Sequence, residues 1–131
     1  MAESIEQIIR TLAGNRCEYC KIPEGPSRMR HVLDHIIASQ HRGQTDLSNL
    51  ALCCPRCNQF KGPNIARIDP ETGLLVRLFH PRSDDWATHF RYQDLTLIGL
   101  TDIGRTTVEV LAINHPMRLL AREALRELGL L

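Results

Sequence analysis

The sequence predicts an α+β domain whose first half is held together by a bound metal ion. Two Cys-x-x-Cys pairs, Cys17/Cys20 and Cys54/Cys57, flank a polar stretch that contains an Asp-His pair. Short apolar segments typical of strands alternate with segments in which apolar residues recur at helical spacing. The length of 131 residues fits one domain with a modest core, so we expect a single domain over residues 1–131.

The composition is that of an ordinary globular protein, with 43% hydrophobic and 24% charged residues. The formal net charge is +1, which excludes a protein that is held to nucleic acid by its overall charge. Any affinity for nucleic acid therefore has to come from local patches. The first residues lack the pattern of a signal peptide, and no apolar run is long enough to span a bilayer. We expect a cytoplasmic protein without membrane contacts, and the sequence does not predict its oligomeric state.

The first half of the chain is predicted to contain two helices and two short strands. A helix is predicted over residues 4–13, where apolar residues recur at helical spacing after a serine cap. Strands are predicted over residues 29–33, which end at the Asp-His pair, and over residues 50–53. The second Cys-x-x-Cys pair opens a helix of about two turns that ends at a Gly-Pro step, residues 62–63. The knuckle and its strand-loop-strand-helix core therefore occupy residues 17–62.

Residues 63–131 are predicted to form a strand pair followed by two helices. The strands are expected over residues 74–79 and 90–100, separated by a loop that carries the single Trp. The helices are expected over residues 101–113 and 116–128, because Thr101 is a suitable cap and Pro116 suits a first helical turn.

The two C-terminal helices could also form a DNA-reading helix-turn-helix. We favour plain packing, because two helices joined by a short turn are usually structural. In the last helix one face carries leucine and alanine and another carries three arginines. The candidate DNA-contacting residues of this alternative are Arg105, Thr106, Thr107, Arg118, Arg122 and Arg126.

The two Cys-x-x-Cys pairs predict a structural zinc site. A gap of two residues lets one turn of chain direct both sulfurs at one ion, and two pairs supply four thiolates for a tetrahedral site. Cysteines in such pairs fit a metal site in a reducing cytosol better than disulfides. Cys53 and Cys57 also form a Cys-x-x-x-Cys pair, so the second ligand pair is ambiguous. We favour Cys54, because Cys53 ends an apolar strand and suits a buried thiol.

The residues between the cysteine pairs predict a site for phosphodiester hydrolysis. This reaction needs a base that activates water and a cation on the phosphoryl oxygens. His35 can be the base because imidazole titrates near neutral pH, and Asn49 could orient it by tying back the connecting loop. The side-chain oxygens of Asp34 and Asn58 suit Mg²⁺ or Mn²⁺ rather than zinc.

The pattern D-H-I…G…D-L-S-N-L…C-x-x-C-N-x-x-K-G, from Asp34 to Gly62, resembles the HNH endonucleases, whose core is a ββα-metal finger. The resemblance implies that His35 is the general base, that Asn49 is the middle Asn of the motif and that Asn58 takes its third position. It also implies that Asp34 binds the catalytic metal. The two cysteine pairs match the structural zinc of the zinc-knuckle subgroup, so the expected cofactors are structural Zn²⁺ and catalytic Mg²⁺ or Mn²⁺.

The resemblance implies an endonuclease that acts on nucleic acid, with DNA as the expected substrate. Asn58 stands where many members have His, so we expect a loosely held Mg²⁺ rather than a tightly bound transition metal. Two other classes stay open: a zinc-stabilised nucleic-acid-binding module without catalysis, and a zinc-stabilised protein-interaction domain. The intact Asp-His pair favours the nuclease, because a pure binding module does not need it.

The positions of five further side chains predict their roles. Lys61 on the finger helix and Arg42 in the connecting loop are the candidate phosphate-binding residues. His31 is interpreted as a surface residue. Trp86, together with Phe90, is interpreted as part of the core rather than as a platform for base stacking.

Overall fold

The structure is a computed structural model, and it describes residues 3–25 and 30–131. The strand predicted over residues 29–33 therefore begins outside the described residues. Helix α1 spans Ile5–Ala13, as predicted, and is capped by Ser4, whose side chain accepts a hydrogen bond from the backbone of Gln7. It ends at Gly14, which adopts the left-handed conformation with φ 63°.

The first half is a strand-loop-strand-helix finger. Strands β1 (Val32–His35) and β2 (Leu50–Cys53) pair antiparallel. Helix α2 (Pro55–Lys61) follows β2 directly, with Cys54 as its N-cap and Gly62 at its C-cap. The mixed α+β fold and the order of elements in this finger confirm the prediction.

The second half contains two separate hairpins. β3 (Ala66–Ile68) pairs antiparallel with β4 (Leu75–Arg77), and β5 (Phe90–Gln93) pairs antiparallel with β6 (Thr96–Gly99). Each hairpin is a two-stranded sheet of its own.

The prediction of one strand pair in this half was wrong. The segment 90–100 holds two strands instead of one, because Asp94 adopts a left-handed φ of 54° and the chain reverses there. The partner of the other predicted strand is the three-residue strand β3, which is too short to give a period-2 signal. The turn that joins β3 and β4 contains residues 69–73, whose sequence Asp-Pro-Glu-Thr-Gly is typical of a turn.

Three helices complete the chain: the short α3 (Trp86–His89), α4 (Asp102–Val110) and α5 (Pro116–Glu127). Within the described residues, no helix combines the length and the apolar composition that crossing a membrane requires. Phe90 is 1% exposed and packs edge-on against Phe79 with ring centroids 5.1 Å apart, while Trp86 lies partly buried beside it. Both aromatic residues belong to the core, as expected.

Helix α5 is oriented with two of its three arginines inward. Arg118 and Arg122 are buried, whereas Leu120 and Leu128 are exposed. A helix of this composition would ordinarily bury its leucines, and the inversion occurs because the arginines meet sulfurs and backbone carbonyls of the interior. The DNA-reading alternative was therefore wrong for these two arginines.

The alternative also fails at helix α4. Thr106 and Thr107 are fully buried, and the guanidinium group of Arg105 is paired with Asp69 and Glu71 of the β3–β4 turn. These side chains hold α4 against the hairpin and do not present a surface to DNA.

Candidate metal centre and active site

Four cysteine side chains converge between the first knuckle and the start of helix α2. The sulfurs of Cys17, Cys20, Cys54 and Cys57 all lie within 4.8 Å of one another, and all four residues are buried. Zinc–sulfur bonds of about 2.3 Å in a tetrahedron require sulfurs about 3.8 Å apart. The distance between the sulfurs of Cys20 and Cys54 is 3.8 Å, so this donor set fits a zinc ion.

The chain forms each knuckle by folding its backbone back onto the first sulfur. The backbone N–H of Cys20 points to the sulfur of Cys17 at 3.5 Å, and that of Cys57 points to the sulfur of Cys54 at 3.4 Å. In the second knuckle this N–H belongs to the first turn of α2, whose positive end faces the sulfur. Backbone dipoles therefore favour the thiolate form at both knuckles.

Cys54, rather than Cys53, belongs to the sulfur cluster. Cys53 is the last residue of β2, pairs with Val32 across the sheet and is fully buried. Its interaction with the thiol of Cys17 and its burial both raise the pKa of the Cys53 thiol. Cys53 is therefore the buried thiol that the sequence favoured, and Cys54 is the ligand candidate.

An arginine from the C-terminal helix reaches the same cluster. Nη2 of Arg118 lies 3.0 Å from the sulfur of Cys57 and 3.7 Å from that of Cys54. Its Nη1 donates a hydrogen bond of 2.7 Å to the carbonyl of Leu111. Burial would lower the pKa of Arg118, but the charge of the Cys57 and Cys20 thiolates raises it.

Two aromatic side chains of the second half also hold the first knuckle. The indole N–H of Trp86 donates to the carbonyl of Tyr19 at 2.8 Å. The hydroxyl of Tyr92 donates to the carbonyl of Cys20 at 2.5 Å. Residues beyond the finger therefore fix the backbone that carries half of the sulfur cluster.

Asp34 lies in the interior beside the finger helix. Its Oδ2 accepts a hydrogen bond of 3.0 Å from the hydroxyl of Tyr19 and lies 3.1 Å from the ammonium nitrogen of Lys61. The residue is 5% exposed. Burial raises the pKa of Asp34, although the Lys61 charge and the hydrogen bonds act in the opposite direction.

Lys61 differs from its predicted role as a phosphate-binding residue. Its side chain is 1% exposed, and its ammonium group also donates to the carbonyl of His35 at 3.1 Å. It faces Asp34 because the last turn of α2 packs against the end of β1. The ammonium group therefore ties the helix to the strand and is not presented at the surface.

His35 follows Asp34 on β1, and its side chain is half-buried, while Asp34 points inward. The Nε2 atom of His35 lies 2.8 Å from the hydroxyl of Thr45, an exposed residue of the connecting loop. The imidazole ring is therefore held through Nε2 at the last residue of β1, and Nδ1 is the ring nitrogen that does not face Thr45.

Asn49 closes the connecting loop onto the finger. Its Oδ1 accepts from the backbone N–H of Ile37 at 2.8 Å, and its Nδ2 donates to the carbonyls of Ile37 and Gln44 at 2.9 and 2.8 Å. Gly43 lies against the backbone of Ile37, so that a Cβ atom at position 43 would stand 1.6 Å from the Ile37 carbonyl oxygen and only glycine fits there. Asn49 ties back the loop that carries Thr45, and its side chain acts on the loop backbone.

Asn58 and Arg42 are both exposed. Asn58 lies three residues before Lys61 on α2, which places it on the helix surface near the Lys61–His35 contact. Arg42 ends a 3₁₀ turn at Ser39–His41 in the left-handed conformation, with φ 70°. Lys61 of α2 contacts the side chain of Asp34 and the backbone of His35, whereas Asn58 and Arg42 lie at the surface.

A cation at Asp34 would be held by few protein ligands. Within the described part of the chain, the four cysteines are the one cluster of three or more His, Cys, Asp or Glu side chains that could share an ion. A carboxylate, an amide oxygen and substrate phosphate make an acceptable donor set for Mg²⁺. Asp34 is 5% exposed and its charge is already balanced by Lys61, so this carboxylate by itself does not form a permanent cation site.

The interpretation of His31 as a surface residue was wrong. His31 is 5% exposed, its Nε2 lies 3.0 Å from the carbonyl of Ile22, and its backbone N–H donates to Glu24 at 2.6 Å. Arg10 of helix α1 donates to its carbonyl at 3.1 Å. These contacts hold the start of β1 against α1 and the first knuckle.

Sequence reasoning missed Tyr19 and Thr45, and it considered Arg118 only as a candidate DNA contact. Tyr19 lies between the two cysteines of the first knuckle, so its closeness to the site could have been foreseen from the spacing. Thr45 and Arg118 carry no such signal, because each depends on how a loop or a distant helix folds back.

The comparisons with known proteins agree with the geometry of the finger. Residues 17–64 match the family model described as HNH endonuclease. Neither a curated protein nor a solved structure matches this chain. The match covers the cysteine cluster, both strands and helix α2, and it leaves the second half of the chain outside.

Proposed function

We propose that the protein is a metal-dependent endonuclease that hydrolyses phosphodiester bonds of nucleic acid, with DNA as the substrate, and the match of residues 17–64 to the HNH endonuclease family model supports this proposal. The observation that carries the proposal is the placement of His35. His35 is the last residue of β1 and is half-buried, its Nε2 lies 2.8 Å from the hydroxyl of Thr45, and its backbone carbonyl accepts a hydrogen bond from Lys61 of the finger helix. A structural zinc on the four cysteines and a cytoplasmic location are part of the same proposal.

In the proposed mechanism, His35 accepts a proton from the attacking water. The hydroxyl of Thr45 holds Nε2, so that Nδ1 is the nitrogen left to take the proton. The water oxygen then attacks phosphorus in line, and the 3′-oxygen leaves. Asn49 keeps the loop that carries Thr45 in place, and so orients the base indirectly.

Asp34 and Asn58 are the residues that would hold the catalytic cation. Mg²⁺ or Mn²⁺ bound there would polarise the phosphoryl oxygen and stabilise charge on the leaving oxygen. Lys61 holds the Asp34 carboxylate at a fixed position, while Asn58 offers its amide from the exposed surface of α2. Arg42, which is exposed in the loop, is the residue that we assign to phosphate binding.

The test is cleavage of supercoiled plasmid in Mg²⁺ by the purified, zinc-loaded protein. His35→Ala is expected to lower the rate by at least about 100-fold, because the general base is lost. His41→Ala is the matched control, since His41 is an exposed histidine of the same connecting loop. A His35→Ala protein that cleaves as fast as the unaltered chain would contradict the assignment.

A zinc-stabilised nucleic-acid-binding module is the second candidate. The ion pair between Lys61 and Asp34 favours it, because a carboxylate with its own internal cation does not need a bound metal. Addition of EDTA, under conditions that leave the buried zinc in place, distinguishes the nuclease from the binding module. Cleavage is then expected to stop, whereas simple binding would persist. A protein-interaction domain would show no salt-dependent affinity for DNA at all.

A further inference from the structure

Arg118 lies outside the finger, and its buried contact with the cysteine sulfurs of the finger is not used by the proposed reaction. Arg118 belongs to α5, is 7% exposed and points Nη2 at the sulfurs of Cys57 and Cys54. Its other amino group is fixed on the carbonyl of Leu111. The guanidinium group is therefore oriented by the interior and does not reach the sulfurs by chance.

The charge of the metal centre explains why a cation is needed there. Four thiolates around Zn²⁺ leave a net formal charge of about −2, and a buried charge is costly unless it is paired. All four cysteines are buried. A guanidinium group 3.0 Å from a thiolate sulfur balances part of that charge and donates a hydrogen bond to the sulfur lone pair.

A second buried arginine of the same helix has oxygen partners where Arg118 has sulfurs. Arg122 is 1% exposed and lies one turn after Arg118. Its guanidinium group donates to the carbonyls of Leu95 and Ile113 at 2.9 Å and to Asn114 at 3.3 Å. These partners are oxygens, so Arg122 provides a matched control: an equally buried arginine on the same helix that serves packing.

We propose that Arg118 is an outer-sphere partner of the zinc centre that slows zinc release and lowers the electron donation of the Cys57 and Cys54 thiolates. Helix α5 is then part of the metal centre, although it lies outside residues 17–64. The proposal rests on zinc being bound by the four cysteines. It is independent of whether the finger cleaves nucleic acid.

The experiment substitutes cobalt(II) for zinc in the full-length protein and compares Arg118→Met with Arg122→Met. In Arg118→Met the sulfur-to-cobalt charge-transfer bands are expected to move to lower energy, because the sulfur lone pairs lose a hydrogen bond. Transfer of zinc to a chromogenic chelator is expected to become about 10-fold faster or more. Arg122→Met is expected to lose stability and to keep the band positions of the unaltered protein.

The outcomes separate the zinc assignment from the role of Arg118. If the unaltered protein gives no tetrahedral cobalt spectrum, the four-cysteine metal site itself is wrong. If that spectrum is present but Arg118→Met has the same bands and the same release rate, the Arg118 proposal is overturned. Should Arg118→Met not fold, Arg118→Lys takes its place and is expected to shift both readouts in the same direction by less. Unchanged readouts in Arg118→Lys would then overturn the proposal.

Discussion

The ammonium nitrogen of Lys61 lies 3.1 Å from Oδ2 of Asp34, and both side chains are buried. The pair joins the last turn of α2 to β1, so it connects the helix that begins at the four-cysteine cluster with the strand that ends at His35. Removing one partner of a buried pair is costly because the other charge stays uncompensated in the interior. The pair is therefore a structural element of the finger as well as a part of the candidate active site.

The first prediction concerns the stability that depends on this pair. Lys61→Met is expected to lower the free energy of unfolding by about 3–5 kcal/mol, because the Asp34 carboxylate keeps only the Tyr19 hydroxyl as a partner. The measurement is denaturant unfolding of the zinc-loaded protein. The double variant Asp34→Asn/Lys61→Met is expected to recover much of the loss, since no buried charge remains. Equal losses in the single and double variants would contradict this account.

The second prediction concerns the catalytic cation, and the ion pair between Asp34 and Lys61 decides which variant can test it. A fall in cleavage by Asp34→Ala could come from a lost metal ligand or from an unpaired Lys61. Asn58→Ala avoids the ambiguity, because Asn58 is exposed on α2 and its loss leaves no buried charge. We expect Asn58→Ala to raise the Mg²⁺ concentration needed for half-maximal cleavage while unfolding stays within about 0.5 kcal/mol of the unaltered protein.

The third prediction concerns Thr45, whose hydroxyl lies 2.8 Å from Nε2 of His35. Thr45→Val is expected to lower cleavage by about 10-fold to 100-fold, because the imidazole loses the partner that fixes its orientation and tautomer. Thr45→Ser keeps a hydroxyl and is expected to retain most of the activity. Both variants are expected to unfold like the unaltered protein, since Thr45 is exposed. Similar activity in the valine and serine variants would show that Thr45 does not position His35.

The finger could be predicted from sequence because its signals are local. The cysteine spacing, the Asp-His pair and the cap at Cys54 each lie within a few residues and agree with one another. The contacts of Lys61 and Arg118 were not foreseen, because they depend on which side of a helix faces the interior. The periodicity of α5 predicts that Leu120 and Leu128 face the interior. The helix packs through Arg118, Arg122 and Leu125 instead, because the two arginines bind interior sulfurs and carbonyls.

The fourth prediction concerns the connecting loop. Asn49→Ala removes three partly buried hydrogen bonds to the backbone of Ile37 and Gln44, so these backbone groups lose their side-chain partner. We expect faster amide hydrogen exchange over residues 36–49 and a loss of about 1–3 kcal/mol in unfolding free energy. Ser48→Ala is the control, because Ser48 is exposed and bonds only locally to Asp46. Exchange that is unchanged in Asn49→Ala would contradict the role of Asn49 as the tie of the loop.

The fifth prediction concerns how the free energy of unfolding depends on pH through Asp69, in the second half of the chain. Nη2 of Arg105 lies 3.0 Å from Oδ2 of Asp69, and this guanidinium partner lowers the pKa of that carboxyl group to about 2. An unfolded Asp titrates near 3.9, so the unfolded chain takes up the proton first as the pH falls. The carboxylate therefore contributes stability that is complete above about pH 4 and is lost as the pH falls towards 2.

Asp69→Asn is expected to remove this part of the pH dependence. Its unfolding midpoint in denaturant should lie below that of the unaltered protein at pH 5, and the gap should narrow as the pH falls from about 4 to about 2. Release of zinc in acid acts on both proteins, so the difference between them is the quantity to follow. Asp94→Asn, at an exposed aspartate that is also paired with an arginine, is expected to change the midpoint little at any pH. A gap of constant size across this range would mean that Asp69 is not held ionised by Arg105.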